Sequence, residues 1–163
     1  MSIKEGFIKE IEIETKKTKQ IIESFKDEHL DYSPHAKSMN VKQLASHVVE
    51  LHNWIHQATS KDSFDFHVDY KKSTDNTVQE ILSTLDNGLE LNKKTIESFS
   101  EEDWFKIWKL KAGDHILAEL PRLAAIRYIL LNHLIHHRGQ LTVYLRLLNI
   151  PVPGIYGPSA DEN

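Results

Sequence analysis

Three of the ten histidines in this chain of 163 residues are spaced to hold a metal ion. His133 and His137 lie four residues apart, so on a helix their side chains are one turn apart on the same face. His47 lies between Leu44 and Leu51 in another apolar stripe of helical spacing. Because the chain has no cysteine, any bound metal must be held by imidazole or oxygen ligands.

The histidine pair occupies positions that helical periodicity assigns to the protein core. Burial of an imidazole is unfavourable unless its nitrogens find partners, and one divalent cation bound by three imidazoles would supply them. The alternative is that these are core or half-exposed histidines that bind carbonyl groups, waters or carboxylates. The stripe that contains the pair is Ile126, Leu130, His133, His137, Gln140 or Leu141, Tyr144 and Leu148.

The other seven histidines are expected to be bystanders. His136 should lie at the flank of its helix, where it can hydrogen-bond a neighbour. His52 and His56 form another pair four residues apart, but they point away from His47, which predicts that they face solvent or a subunit contact. Loop or hairpin positions on the surface are expected for His29, His35, His67 and His115.

Four segments with helical periodicity must position these side chains. The first predicted helix runs from about Ser2 to Phe25, and the second follows Asn40, a potential N-cap, to about Ala58. The third runs from Thr74 to about Phe99, and the fourth from Pro121 to near Asn149. Four long helices with one apolar stripe each predict an all-α four-helix bundle.

Two segments between the helices have the alternating pattern of extended chain. Residues 104–119 alternate on both sides of Ala112-Gly113-Asp114, which predicts a small hairpin between the third and fourth helices. Residues 64–68 also alternate and are predicted to form an extended loop. No linker or repeat divides the chain, so residues 1–163 are predicted to form a single domain.

Composition argues against several classes of protein. The 20 Lys and Arg against 24 Asp and Glu give a net charge of -4, whereas affinity for nucleic acid depends on clustered basic residues. The N-terminus lacks the apolar run of a secretory signal, and no stretch has the roughly 18–20 uncharged apolar residues of a membrane span. We therefore expect a cytoplasmic protein that binds neither nucleic acid nor membranes.

The C-terminal region resembles a known family. The run HHRGQ at 136–140, the prolines at 151 and 153, and the tail YGPSADE at 156–162 resemble the C-terminal signature of the DinB (damage-inducible) family of metalloenzymes. The run SHVVE at 46–50 resembles the histidine segment in the second helix of that family. These motifs occur in the expected order and span most of the chain.

The resemblance implies a four-helix bundle with an up-down-down-up course and one divalent metal ion. Its implied ligands are His47, His133 and His137, which helical spacing also selects. The family is similar in fold to S-transferases that use mycothiol or bacillithiol, and to thiol-dependent maleylpyruvate isomerases. Its name reflects induction of one member by DNA damage and implies no polymerase activity. The resemblance also implies a homodimer.

Three neutral ligands leave the fourth position of a tetrahedral ion open, as in catalytic sites. Such an ion activates bound water or thiol near neutral pH. We therefore expect a metal-dependent enzyme with a small-molecule substrate, either an S-transferase that uses a low-molecular-weight thiol or a hydrolase. The alternative is a noncatalytic metal-binding or ligand-binding stress protein. Zinc or nickel is expected, with iron or copper as alternatives that imidazole also suits.

Several polar residues near the candidate ligands have two interpretations. Glu50, one turn after His47, and Gln140, three residues after His137, could orient the ligand imidazoles or could be solvated polar residues. Tyr144 is expected to be a core residue rather than a proton donor. The roles left open for Arg127 and Arg138 are attraction of an anionic cosubstrate and pairing with acids of an adjacent helix.

Overall fold

The computed structural model describes residues 2–162, which form four long helical segments, one short 3-10 helix and three strands. Among these residues, no helix combines the length and the apolar character needed to cross a bilayer. The elements are α1 (Ile3–Glu23), a short 3-10 helix (Asp27–His29), α2 (Val41–Ala58), β1 (Ser63–Asp65), α3 (Val78–Ser98), β2 (Ile107–Ala112), β3 (His115–Pro121) and a fourth helical segment, α4, over 122–147.

Capping boxes start the first three helices. The side chains of Ser2, Asn40 and Thr77 each accept a hydrogen bond from the backbone N–H three residues later. The Glu or Gln at that later position accepts one from the cap residue's own N–H, so two otherwise unpaired donors are satisfied. The third helix begins after Thr77 rather than at the predicted Thr74, because Thr77 is the residue that caps it.

The four helices run up, down, down and up. Helix α3 is antiparallel to α1 and parallel to α2, and α4 is parallel to α1. Helix α2 therefore runs antiparallel to α4, which brings the middle of each helix to the same level. The antiparallel course of α1 and α3 follows from the pairs Lys4–Glu97 and Lys19–Asp86. The parallel course of α2 and α3 follows from Asn53–Thr84 and His56–Asn92, and that of α1 and α4 from Glu10–Arg127 and Glu14–Arg138.

The prediction of an all-α bundle is wrong, because the chain also forms a three-stranded mixed sheet in the order β1-β2-β3. Strands β2 and β3 form the antiparallel hairpin, in which Gly113 takes a left-handed conformation with φ 63°. The predicted extended loop at 64–68 contains part of β1, which pairs in parallel with β2. A three-residue strand is too short to be distinguished from a loop by its pattern, and its pairing with β2 covers one edge of the hairpin.

The sheet packs against the end of α2. The Trp108 side chain on β2 is completely buried, and its indole N–H donates to the carbonyl of Ala58, the last residue of α2, over 3.0 Å. Phe64 on β1 packs on Trp54 of α2 with ring centroids 4.9 Å apart. These contacts supply the apolar partner that an isolated hairpin lacks.

The fourth helix is not the uniform α-helix that the sequence predicts. It is α-helical over Arg122–Ala124, π-helical over Ala125–Leu131 and α-helical again over Asn132–Leu147. A π-helix has more residues per turn than an α-helix, so it rotates the faces of the residues that follow. The α-helical part turns Leu134, Arg138, Leu141, Tyr144 and Leu145 into the protein.

The prediction that His52 and His56 face solvent or a subunit contact is wrong. Both side chains face the neighbouring helices. The His52 side chain is only 1% exposed, and its Nε2 lies 2.8 Å from the Thr15 hydroxyl on α1. Its Nδ1 lies 2.8 Å from Asn53 Oδ1, while Asn92 of α3 donates to its backbone carbonyl. His56 is half-buried and contacts Asn92. Helices α1 and α3 cover the flanks of α2, so burial extends beyond its apolar stripe.

Acidification is expected to destabilise the protein through His52. Burial lowers the pKa of His52 from 6.5 to about 4, against the Asn53 contact that raises it. The unfolded chain therefore binds the proton more tightly, so His52 stabilises the fold above pH 6.5 and this stability is lost as the pH falls toward 4. We expect His52 to account for a loss of about 2 kcal/mol of unfolding free energy between pH 7.5 and pH 5.

Urea unfolding of the metal-free protein at the two pH values measures this loss. His52→Gln removes the titrating group with a side chain of similar size, so the variant should lose less stability than the wild type on acidification. An equal loss in both proteins would contradict the assignment.

Candidate metal centre

The structure brings the three predicted ligands together between α2 and α4. One ligand atom from each of His47, His133 and His137 lies within 4.8 Å of the other two. The Nε2 atoms of His133 and His137 are 2.8 Å apart. The ring centroid of His47 lies 5.3 Å from that of His133 and 4.9 Å from that of His137. This cluster could hold one metal ion.

The helices place the three imidazoles at the edge of the core rather than in its centre. The buried Leu44 and Leu51 fix the orientation of the α2 face that carries His47. The fully buried Leu134 and Leu141 fix the orientation of α4 in the same way. His47 and His137 are half-buried, and His133 is exposed. The prediction that the pair faces the core is therefore wrong for His133, which leaves one side of the cluster open to solvent.

Glu50 and Gln140 both contact the ligand imidazoles. Gln140 Oε1 lies 2.7 Å from Nδ1 of His137, and Glu50 Oε2 lies 3.4 Å from Nδ1 of His47. Amide and carboxylate oxygens are hydrogen-bond acceptors, so these contacts favour the tautomer of each ring that carries its proton on Nδ1. This tautomer leaves the Nε2 lone pair of His47 and His137 available for a metal ion.

Glu50 is itself held by a loop that the sequence did not connect with the site. The Ser73 N–H donates to Glu50 Oε1 over 2.8 Å, and the Tyr70 hydroxyl donates to Oε2 over 3.2 Å. Burial raises the pKa of Glu50, but the hydrogen bonds from His47, Ser73 and Tyr70 outweigh it and lower the pKa. Tyr70 and Ser73 belong to an irregular segment, where no periodicity relates a residue to a helix face.

The cluster also favours the neutral imidazoles that bind metals. Although His133 as a whole is exposed, partial desolvation of its ring by the surrounding side chains lowers its pKa to about 4, and the neighbouring His137, His47 and His136 add to this effect. Burial lowers the pKa of His137 as well, against the Gln140 hydrogen bond. Both rings are therefore neutral near pH 7, as metal coordination requires.

The donor set fits a divalent cation. Zinc–nitrogen bonds of about 2.0–2.1 Å place the ligand atoms of a tetrahedral site roughly 3.3–3.4 Å apart. The cluster, with its closest pair at 2.8 Å and all pairs within 4.8 Å, reaches this arrangement through side-chain shifts of about an ångström. Three neutral nitrogen ligands suit zinc and nickel, and the exposed side at His133 provides room for an exogenous ligand.

Gln140 also explains the position of His136. The Gln140 amide N–H donates to Nε2 of His136 over 3.2 Å, while its oxygen accepts from His137. His136 thus lies at the helix flank, as predicted, and contacts the same glutamine that contacts the candidate ligand His137. The exposed His136 is a useful control because it is a histidine of the same helix outside the cluster.

Gln140→Leu is expected to weaken zinc binding by about 10- to 100-fold, the range found when groups that orient metal ligands are removed. Leucine cannot accept a hydrogen bond from Nδ1–H of His137, so the tautomer that presents Nε2 to the ion is no longer favoured. Competition with a chromogenic chelator at pH 7.5 measures the affinity. Gln140→Glu, which keeps the acceptor, should retain zinc affinity, and equal losses in the two variants would contradict the orienting role.

Tyr144, Arg127 and Arg138 do not contribute side chains to the cluster. The Tyr144 hydroxyl donates to the carbonyl of Met39 over 3.0 Å, as expected of a residue that packs between elements. Both arginines pair with acids of α1, Arg127 with Glu10 and Arg138 with Glu14. Their attraction of an anionic cosubstrate is therefore not supported, and pairing with the adjacent helix is the interpretation that the structure confirms.

Arg138 joins α1, α4 and the C-terminal tail in a network in which Arg138 and Glu14 are buried and Tyr156 is exposed. Its guanidinium donates to Glu14 Oε2 and to the Tyr156 hydroxyl, each over 2.6 Å, and to the Thr18 hydroxyl over 3.2 Å. The Tyr156 hydroxyl donates in turn to Glu14 over 2.7 Å. The arginine of the HHRGQ run and the tyrosine of the tail therefore serve the packing of α4 next to the cluster.

The chain is similar to proteins of one family along its whole length. A model of the DinB family matches residues 1–163. The uncharacterized protein YrdA of Bacillus subtilis strain 168 is 25% identical over 156 residues, which cover 96% of this chain and 89% of that protein. The crystal structure of a DinB-like protein from Bacillus cereus ATCC 10987 matches with a TM-score of 0.72 and 23% identity, over 93% of this chain and 97% of that one.

A second solved structure has the same fold. The DinB-like protein YjoA from Bacillus subtilis matches with a TM-score of 0.72 and 16% identity, over 96% of this chain and 97% of its own. At these identities the solved structures establish the fold, and the match of the family model to every residue establishes the relationship. The chain therefore belongs to the DinB family.

Proposed function

We propose that this protein binds one divalent cation through Nε2 of His47, His133 and His137, and that it uses the ion to activate a low-molecular-weight thiol or a water molecule. The observation that carries the proposal is the convergence of three imidazole nitrogens within 4.8 Å. In two of the rings an acceptor oxygen beside Nδ1 favours the tautomer that leaves Nε2 free to bind a metal. Zinc or nickel is the proposed ion.

The ion, when bound, would lower the pKa of a thiol or water at its open position. The chain's own part would be to supply three neutral ligands, which would leave the positive charge of the ion uncompensated and able to stabilise an anionic nucleophile. Glu50 and Gln140 would accept hydrogen bonds from Nδ1–H of His47 and His137 and so fix the orientation of these two rings. Because the chain has no cysteine, a thiol must come from a cosubstrate.

For S-transfer, the thiolate sulfur attacks an electrophilic carbon, so a carbon–sulfur bond forms and the bond to the leaving group breaks. The thiol proton goes to the solvent and the leaving group departs with the bonding electrons. For hydrolysis, hydroxide attacks an acyl carbon and the alcohol leaves with a proton. In both reactions the exposed side of the cluster at His133 is the proposed path of entry.

The experiment compares metal-free, zinc-loaded and nickel-loaded protein, purified without an affinity tag. Each form is assayed with a panel of small thiols and a chromogenic aryl halide, and with a chromogenic ester alone. We expect metal-dependent turnover of one substrate class by the wild type and by His136→Ala, and none by His133→Ala. Turnover without metal would contradict the mechanism, and metal binding without any turnover would favour the noncatalytic stress protein.

A further inference from the structure

A cavity of about 320 Å³ lies beside the histidine cluster. It is formed between the turn before α2 and the outer face of α4, and His137 and Gln140 line the part of its wall nearest the cluster. Met39, Leu44 and Val143 supply apolar wall. The volume is at the lower end of the roughly 300–1,000 Å³ that is typical of small-molecule sites.

Large apolar side chains from separate elements are left in contact with solvent around this cavity. Met39 is 43% exposed and Val143 is 55% exposed, although each is large enough to belong in a core. The Tyr144 hydroxyl donates to the carbonyl of Met39, which ties the turn to α4 and holds the two sides of the cavity in place. Converging exposed apolar residues in a preformed cavity are typical of a ligand site.

The charge of the cavity distinguishes it from its neighbour. Of the residues in the described part of the chain, no Asp, Glu, Lys or Arg lines it. A cavity of about 310 Å³ on the Glu50 side is instead lined by Lys42, Lys72 and Asp75, and none of the three cluster histidines is among its described lining residues. A charged group that entered the apolar cavity would lose hydration without gaining an ion pair.

We propose that the cavity beside His137 binds an uncharged apolar group, aryl or short alkyl, of the molecule whose reactive atom lies at the histidine cluster. The inference rests on the proposed metal-dependent function and names the substrate class for it. The apolar group belongs to the electrophile or the ester. A charged cosubstrate would have to approach from elsewhere.

The cavity is tested first on the metal-free protein, so that the result does not depend on metal binding. The probes are benzyl alcohol, benzoate and benzylamine, which share a ring and differ in charge, and the signal is the NMR shift of the Met39 and Val143 methyl groups. We expect saturable binding of benzyl alcohol, with benzoate and protonated benzylamine at least tenfold weaker. No saturable binding, or equal binding of the three probes, would overturn the inference.

A matched pair of variants locates the site. Val143→Asp places a carboxylate in the wall and should weaken benzyl alcohol binding at least tenfold, as followed by the Met39 methyl signal. Leu147→Asp makes the same change one turn later on α4, at a side chain that is 53% exposed and does not line the cavity, and should leave the affinity unchanged. Equal effects of the two variants would overturn the assignment.

Zinc-loaded protein then tests whether one ligand reaches both the cavity and the cluster. Acetohydroxamate and benzohydroxamate carry the same metal-binding group, and only the second has a ring. We expect benzohydroxamate to bind at least tenfold more tightly to the wild type, by calorimetry, and this preference to disappear in Val143→Asp with acetohydroxamate affinity unchanged. An equal preference in both proteins would show that the cavity does not bind the group next to the metal.

Discussion

Replacing His137 with alanine is expected to lower zinc affinity by more than about a hundredfold, a loss beyond the 10- to 100-fold typical of groups that only orient ligands. His137 is the central member of the cluster, because it contacts His133, His47 and Gln140. Its removal leaves two imidazoles, so that water must fill two of the four positions of the ion instead of one. A chelator-competition titration at pH 7.5 measures the change.

The control for this prediction is His136→Ala. His136 is the adjacent residue on the same helix, but it is exposed and is not one of the three clustered histidines. It contacts the cluster through Gln140 and through the edge of the His137 ring, with centroids 5.0 Å apart. This variant should bind zinc within about tenfold of the wild type, below the loss expected when an orienting group itself is removed. If His136→Ala and His137→Ala lose the same affinity, the ion is not held by the proposed three residues.

Loss of the Arg138 side chain is expected to destabilise the fold by about 3–5 kcal/mol, the usual cost of leaving one member of a buried ion pair without its partner. The Arg138 side chain is 2% exposed, and Arg138→Met would leave the buried Glu14 carboxylate with only the Tyr156 hydroxyl in hydrogen-bond contact. The Lys17 ammonium, 3.8 Å from Glu14 Oε1, remains as a more distant partner, so the loss should lie toward the lower end of this range. Urea unfolding of the metal-free protein measures the free energy.

Arg127→Met is the matched control, because Arg127 lies on the same helical segment and also pairs with a glutamate of α1. Its side chain is 54% exposed, so loss of that pair should cost no more than about 1 kcal/mol. The double variant Arg138→Met/Glu14→Leu should recover most of the lost stability, since a buried ion pair can be replaced by apolar groups at little cost. Equal costs of the two single variants would contradict a special role for the buried network.

The histidine cluster could be predicted from the sequence because each part of it depends on local helical geometry. The spacing of His133 and His137 places them one turn apart, and the position of His47 between Leu44 and Leu51 places it on the covered face of α2. The antiparallel course of α2 and α4 then brings these local features together. The partners Glu50 and Gln140 could be identified for the same reason, as residues one turn from a ligand.

The features that the sequence did not predict depend on contacts between distant segments. Strand β1 is three residues long and forms because its backbone pairs with the free edge of β2. The π-helical stretch Ala125–Leu131 rotates the faces of α4, and no residue pattern in the sequence predicts it. His52 is buried because two further helices cover α2, whereas periodicity describes only one face. Tyr70 and Ser73 reach Glu50 from an irregular loop.

The proposed metal centre is tested most directly by anomalous diffraction from crystals of the tag-free protein loaded with zinc, with data collected on both sides of the zinc absorption edge. One peak is predicted per chain, at about 2.0–2.1 Å from Nε2 of His47, His133 and His137. A fourth position of the ion should be occupied by water or a buffer molecule. A peak held by other residues, or no peak at the cluster under zinc saturation, would contradict the central claim that these three histidines form a metal centre.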